Sequence, residues 1–161
     1  MYQNKSTVSW FAAKVFYNRT LPVKRALDEA KIEYYCPEKV VQSLIFIKTD
    51  TLSARLLEQR FFSKMWFYRT MDGAGLARIA DREMELFMFV TSSGEKGLTY
   101  LGDDKPEYHT GDRVRVIDGP FKGAEGYIKR IKKDRRLVVS VAGVAAVATS
   151  FIHPDFLEII S

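Results

Sequence analysis

The sequence predicts an α+β protein in two parts: an α/β sandwich with a mainly antiparallel sheet, followed by a small β-barrel. Segments of strand and helix character alternate up to about residue 100. Only short β-branched runs separated by glycine turns come after it. The polar stretch between these patterns, residues 101–112, contains a proline and two glycines, as connections between domains often do. We therefore expect a domain over 1–100, a linker over 101–110 and a second domain over 111–161.

In the first part, apolar and aromatic runs predict strands, and one-sided apolar patterns predict helices. The predicted strands are 8–16, 32–37, 40–49 and 64–70, and the predicted helices are 22–31, 51–60 and a third that follows Asp81 as its N-cap. The buried face of the first helix is expected to consist of Val23, Ala26, Leu27 and Ala30. For the second helix we expect Thr51 as the N-cap, with an inward face made of Leu52, Leu56 and Leu57.

The second part predicts about five short strands, at 113–118, 125–133, 136–143, 144–151 and 155–160. A segment of this length is sufficient for a barrel of SH3 size. Such a barrel leaves little room for a buried catalytic pocket.

Composition limits where the chain acts. A single cysteine, Cys36, excludes an internal disulfide and favours a reducing compartment. The first ten residues lack an apolar signal core, and no apolar run is long enough to cross a membrane. We therefore expect a cytoplasmic protein without a membrane partner, and we expect it to be a monomer.

Catalytic residues are not indicated. The histidines, His109 and His153, have no cysteine or histidine partner at metal-binding spacing, and Cys36 has no base nearby in sequence. The sequence contains no phosphate-binding glycine loop and no nucleophile elbow. We expect no enzyme activity, no cofactor and no metal.

Positive charge is concentrated in one segment. Residues 129–136, KRIKKDRR, carry six basic and one acidic side chain, so their net charge of +5 equals that of the whole chain. This segment could attract the phosphates of a nucleic acid. It could equally be a solvated hairpin turn that keeps the protein soluble.

The most informative motif is GDRVRVIDGPFKGAEGYI, residues 111–128. An alternating strand leads into a tight turn in which Gly119 and Gly123 can take positive φ and Pro120 fixes the chain between them. Phe121 is expected to lie over the turn or to project from it. Gly126 falls where a barrel strand must bend or approach another backbone. The glycine at 111 opens the motif.

This stretch resembles a KOW motif, which occurs in NusG-type transcription factors and in some ribosomal proteins. Upstream, WFAAKVF at 10–16 resembles the opening strand of the NusG N-terminal (NGN) domain. The helix, the strands and the LARIADREMELFM segment at 76–88 then follow in the order of that family. The resemblance covers about residues 8–160 and implies an NGN sandwich followed by an SH3-like KOW barrel.

Two departures point to a particular branch of the family. The entry to the central strand, VVQSLIFI at 40–47, is more similar to specialised paralogues of UpxY or RfaH type than to housekeeping NusG. At 143–146 the sequence reads Gly-Val-Ala-Ala, where housekeeping members carry Ile-Phe-Gly-Arg for contact with Rho or a ribosomal protein. These departures weaken the expectation of Rho or ribosomal contact and favour a specialised antiterminator.

The resemblance implies RNA polymerase as the main partner, bound at its clamp through an apolar patch. The residues carried over to that patch are Phe16, Tyr17, Leu44 and Phe46, although most such residues could instead fill the core. Because side chains alternate along a strand, Leu44 and Phe46 share one sheet face, but the sequence does not tell which face binds. WFYR at 66–69 offers stacking groups, but we expect packing to account for Trp66 and Phe67.

The resemblance also suggests contact with nucleic acid, either non-template DNA or nascent RNA. Two sets of basic residues are the candidates: Lys14, Arg19, Lys24 and Arg25 in the first part, and Lys129, Arg130, Lys132, Lys133, Arg135 and Arg136 in the second. The implied function is transcription antitermination or elongation, at a polysaccharide-type operon. The alternatives are housekeeping NusG and an RNA- or ribosome-binding KOW protein.

Overall fold

The computed structural model describes residues 7–16 and 18–160. The chain divides into two compact units, residues 1–81 and residues 82–161. Within the described ranges, the first unit contains strands β1 (Ser9–Val15), β2 (Glu33–Tyr35), β3 (Leu44–Thr49) and β4 (Met65–Phe67), with helices α1 (Thr20–Glu29) and α2 (Thr51–Arg60). The strands form one antiparallel sheet in the order β2-β3-β1-β4.

The first unit has its core on one face of this sheet. Side chains such as Phe11, Ile45 and Phe67 point to that face and pack with Val23 and Leu27 of α1. Each of these five side chains is fully buried. The face that packs against α1 and α2 is therefore the one that carries Ile45 and Ile47, and Leu44 and Phe46 belong to the opposite face.

Helix α2 differs from its predicted form in two details. Its N-cap is Asp50, whose carboxylate accepts a hydrogen bond from the Ser53 amide, so the prediction of Thr51 was wrong by one residue. Its inward face consists of Ala54 and Leu57, whereas Leu52 and Leu56 are more than half exposed. At about 100° per residue, positions 54 and 57 share the stripe that faces the sheet, whereas positions 52 and 56 point about 150° away from it.

The second unit contains α3 (Asp81–Thr91, which begins at the last residue of the first unit) and six strands. The strands are β5 (Thr99–Gly102), β6 (Arg113–Val116), β7 (Glu125–Ile131), β8 (Asp134–Val141), β9 (Ala145–Phe151) and β10 (Leu157–Ile159). Their antiparallel order is β10-β6-β7-β8-β9-β5, and short 3-10 helices cover Pro106–His109 and Pro154–Phe156. The predicted fold class, α+β with antiparallel sheets, is confirmed.

The predicted linker has more regular structure than its sequence suggests. β5 overlaps its beginning and pairs with β9, with Tyr100 opposite Val147, and Leu101 packs against the barrel residues Val138 and Ala148. Because of these apolar contacts, the start of the predicted linker forms part of a strand, although its polar sequence is typical of a connection between domains. The domain limits 1–100, 101–110 and 111–161 remain a prediction.

Helix α3 contacts strands of its own unit. Arg82 at its first turn forms an ion pair of 3.1 Å with Glu125 of β7. The Glu83 carboxylate accepts a hydrogen bond of 3.3 Å from the backbone amide of Ala142, beside the β8–β9 turn. Within residues 7–16 and 18–160, no helix combines the length and the apolar character that a membrane crossing requires.

Candidate functional site

The strongest candidate surface in the first unit lies at the β4 edge of the sheet. Lys14 of β1 is paired in register with Trp66 of β4, on the face opposite the helices. The Trp66 ring lies 6.2 Å from the ring of Phe16 and 4.8 Å from that of Tyr68, measured between centroids. We call Phe16, Trp66 and Tyr68 the aromatic ledge. Trp66 is 37% exposed, more than packing alone would leave, and Phe16 and Tyr68 are half-buried.

A partly exposed ion pair between Glu58 and Arg69 fixes the segment that carries Trp66 and Tyr68. Glu58 of α2 accepts hydrogen bonds from both terminal nitrogens of Arg69, at 2.7 and 3.2 Å, and from the Phe67 amide at 2.7 Å. Burial raises the pKa of Glu58, but the hydrogen bonds from Arg69 and Phe67 outweigh it, so the pKa lies below its usual range. The carboxylate therefore ties α2 to Phe67 and Arg69, which follow Trp66 and flank Tyr68.

The predicted polymerase-binding residues fall in different environments. Phe16 belongs to the ledge, and Tyr17 lies outside the described residues. Leu44 and Phe46 have exposures of 2% and 0%, so neither offers surface to a partner in this structure. Their assignment remains a prediction. Sequence analysis noted the segment 66–69, which contains Tyr68, as a source of stacking groups, but it assigned Trp66 to packing because a strand pattern does not show where a sheet ends.

The four predicted basic residues of the first unit are not equivalent. Lys24 forms a 3.1 Å ion pair with Glu38, and this hydrogen bond raises the pKa of the Lys24 ammonium. Arg19 and Arg25 are exposed, and Lys14 is half-buried beside Trp66. In the part of the chain that the structure describes, none of these three has an ion-pair partner, so their charges are available to an external anion.

In the second unit, the basic segment 129–136 forms the β7–β8 hairpin. Ile131 pairs with Asp134 across a two-residue loop in which Lys132 and Lys133 have φ of 51° and 77°. Positive φ at both loop positions is the type I′ geometry, which favours asparagine and glycine. Two lysines at these positions keep two strained, exposed cations at the hairpin tip.

The remaining basic residues line the hairpin below its tip. The Arg130 guanidinium donates to the Lys133 carbonyl, and Arg136 forms an ion pair with Asp134 at 3.4 Å. Lys129 donates to the carbonyl and hydroxyl oxygens of Thr110. All six basic residues predicted from the sequence therefore lie on one hairpin, and their role in binding nucleic acid remains a prediction.

The glycine turn before β7 has the geometry that its sequence predicts. Gly119 and Gly123 have φ of 86° and 98°, and the Gly123 amide donates to the Val116 carbonyl at 2.8 Å. Pro120 is exposed at the turn, whereas Phe121 is 4% exposed, so it packs inward rather than projecting. Gly111, at the start of the motif, also has a positive φ, of 89°.

Residues 110–141 match the KOW motif. No curated protein matches the sequence of the chain. Among solved structures, "Domain interaction in Thermotoga maritima NusG" is similar with a TM-score of 0.53 and 17% sequence identity, over 96% of this chain and 98% of that one. This similarity shows a NusG-like fold that contains a KOW motif. "Crystal Structure of MjSpt4:Spt5 complex conformation B" matches at a TM-score of 0.38 and 13% identity, over 94% of this chain and 97% of that one.

The two histidines have structural partners, and the lone cysteine is partly buried. His109 pairs with the buried carboxylate of Asp104 at 2.8 Å, and His153 accepts a hydrogen bond from the Asp155 amide. Burial raises the pKa of Cys36 to about 11, despite the opposing charge of Lys24. Among the residues whose placement is described, no three or more His, Cys, Asp or Glu side chains form a group that could hold a metal ion.

Proposed function

We propose that this protein is a transcription elongation factor that binds RNA polymerase through the aromatic ledge of its first unit. The observation that carries the proposal is a NusG-like fold over 96% of the chain, together with a KOW motif at 110–141. The ledge supports it because partly exposed aromatic side chains at a sheet edge are typical anchors of protein interfaces. The action is binding rather than catalysis: the factor shifts the polymerase toward its elongating state by differential affinity.

At a finer level, we propose a specialised antiterminator of UpxY or RfaH type, acting at a polysaccharide-type operon. The supporting observation is the β8–β9 turn, where Gly143 has a φ of 74° and Val144, Ala145 and Ala146 are buried. This turn offers neither an aromatic side chain nor an arginine for Rho or a ribosomal protein. Housekeeping NusG activity would require a contact that this turn does not present.

The test of polymerase binding compares two exposed aromatic residues of the first unit. Trp66→Ala removes the centre of the ledge, and Phe62→Ala removes a side chain that is 80% exposed in the α2–β4 connection. We expect Trp66→Ala to weaken binding to purified core polymerase at least about tenfold and Phe62→Ala to leave it unchanged. Absence of binding by the unmodified protein would refute the function. Equal binding by both variants would refute only the assignment of the site.

A second candidate function, binding of RNA or single-stranded DNA, is favoured by the two strained lysines at the hairpin tip. Replacing them together, Lys132→Asn with Lys133→Gly, removes two charges and supplies the residues that a type I′ turn prefers. We expect this variant to be at least as stable as the original protein, and to bind single-stranded RNA more weakly and with a smaller salt dependence. Unchanged affinity and salt dependence would identify the hairpin as a solvated turn.

A further inference from the structure

A groove with an apolar floor opens at the end of the second unit where the β7–β8 hairpin begins. Its volume is about 620 Å³, which is in the range of sites that bind small molecules or peptide side chains. Six apolar residues from four strands and the segment after β9 line it: Val114, Ile128, Phe151, Ile152, Leu157 and Ile159. Phe151 is 52% exposed and Ile159 is 66% exposed. Exposed apolar side chains grouped around a concave surface mark a binding site more often than isolated ones do.

The rim of the groove is mainly cationic. Arg135 lines it, and its guanidinium has no ion-pair or hydrogen-bond partner in the ranges 7–16 and 18–160. Lys129 also lines it, and among the described residues its ammonium is bonded only to neutral oxygens of Thr110. The single acidic residue of the lining is Asp112. The positive charge continues beyond the groove, because the hairpin tip carries the exposed cations of Lys132 and Lys133.

The strand at one side of the groove suits an extended ligand. β10 is the terminal strand of its sheet, and its only partner among the described strands is β6. Leu157 and Ile159 alternate along β10 and both face the groove. A peptide that pairs with a terminal strand places every second side chain on one face of the sheet. On that face, these side chains can pack against Leu157 and Ile159.

From this geometry we propose that the groove binds an extended acidic peptide segment of another protein. One or two large apolar side chains of the peptide pack against the apolar floor of the groove, and neighbouring carboxylates of the peptide pair with Arg135 and Lys129. The apolar floor favours a peptide over a nucleic acid, because its side chains offer no hydrogen-bonding groups to base edges and only one aromatic ring, that of Phe151, for stacking. This contact is additional to polymerase binding and lies in a different unit from the aromatic ledge.

The experiment selects random dodecapeptides on the full-length protein by display, then measures binding of the enriched peptides by fluorescence polarisation. We expect enriched sequences to combine a net negative charge with phenylalanine, leucine or isoleucine. Phe151→Ser and Arg135→Glu should each weaken binding about tenfold, because one removes an apolar contact and the other reverses a pairing charge. Ile159→Ser gives an independent apolar variant at an exposed position.

Two controls make the outcome decisive. The Lys132→Asn, Lys133→Gly variant removes hairpin charge outside the groove lining and should retain most of the peptide affinity. Polymerase binding by Phe151→Ser should equal that of the unmodified protein, which separates this proposal from the proposed function. The proposal is overturned by enriched peptides without acidic residues, or by affinity that is insensitive to Phe151→Ser and Ile159→Ser. Phe151-dependent binding of a single-stranded RNA dodecamer in place of peptides would also overturn it.

Discussion

The backbone of Gly126 passes so close to Val138 that a β-carbon on residue 126 would lie 2.1 Å from the Val138 carbonyl oxygen. Neighbouring β7 and β8 residues pair in register, Tyr127 opposite Val138, so neither strand can retreat without losing its hydrogen bonds. This relationship explains why the KOW segment has glycine at this position: β7 and β8 approach this closely only when residue 126 has no side chain.

Gly126→Ala is therefore expected to destabilise the second unit by about 3 kcal/mol or more, since the clash is with backbone and not with a flexible side chain. Urea unfolding followed by circular dichroism measures the change. The matched control is Gly75→Ala, where an added β-carbon would meet nothing within 4 Å and φ is not positive. A change within about 0.5 kcal/mol is expected for the control. Similar stabilities for the two variants would contradict the close approach.

Glu125 is the centre of a charge cluster whose effect depends on pH. Its carboxylate pairs with Arg113 at 2.7 Å and with Arg82 and Arg115 at 3.1 Å. Burial raises the pKa of Glu125, but the hydrogen bonds from Arg115 and Arg82 and the charge of Arg113 outweigh it, so the pKa lies below its usual value of 4.5. A lowered pKa means that the cluster stabilises the fold fully above pH 4.5 and loses its effect as the pH falls through the lowered value.

We expect Glu125→Gln to cost about 1 to 2 kcal/mol near neutral pH, because the three arginines lose their shared partner but stay partly hydrated. The difference from the unmodified protein should shrink as the pH falls below 4.5. Glu107→Gln is the control, since within the described ranges Glu107 forms no ion pair and its side chain is exposed. If Glu125→Gln remains less stable than the unmodified protein at low pH, the loss of stability comes from altered packing and not from the lost charge.

The N-cap of α2 gives a third prediction. The Asp50 carboxylate accepts hydrogen bonds from the amide and hydroxyl of Ser53, at 2.7 and 3.0 Å, and the first of these lowers the pKa of Asp50. Asp50→Ala should therefore cost about 1 kcal/mol in the free energy of unfolding. Thr51→Ala removes only a hydrogen bond from the exposed Arg78 and should cost less, about 0.5 kcal/mol or below. A larger loss of stability for Thr51→Ala than for Asp50→Ala would instead identify Thr51 as the N-cap.

Cys36 should react slowly with alkylating reagents. Burial raises the pKa of its thiol from 9.0 to about 11, which lowers the thiolate fraction at mildly alkaline pH about 100-fold. The rate of iodoacetamide labelling, followed by intact mass, is expected to be about 100-fold lower for the folded protein than for the same protein in concentrated guanidinium. Equal rates in the two conditions would show that the thiol is accessible and ionises normally.

Sequence alone determined the parts of the protein that depend on local rules. The positive φ of Gly119 and Gly123, the limits of α2 at 51–60 and the +5 charge of segment 129–136 follow from turn chemistry, periodicity and composition. The KOW motif at 110–141 could be found in the same way. Each of these features is encoded within one continuous segment of the chain.

Only the tertiary structure decided which side chains meet and which remain exposed. It selected Ile45 and Ile47 for the core formed with α1 and α2, and it left Trp66 exposed because β4 ends the sheet. It also brought Val114 together with Phe151 and Ile159, more than 35 residues further along the chain, around one groove. Strand order, strand register and exposure at a sheet edge depend on contacts between distant segments, and the residue pattern within any one segment does not contain them.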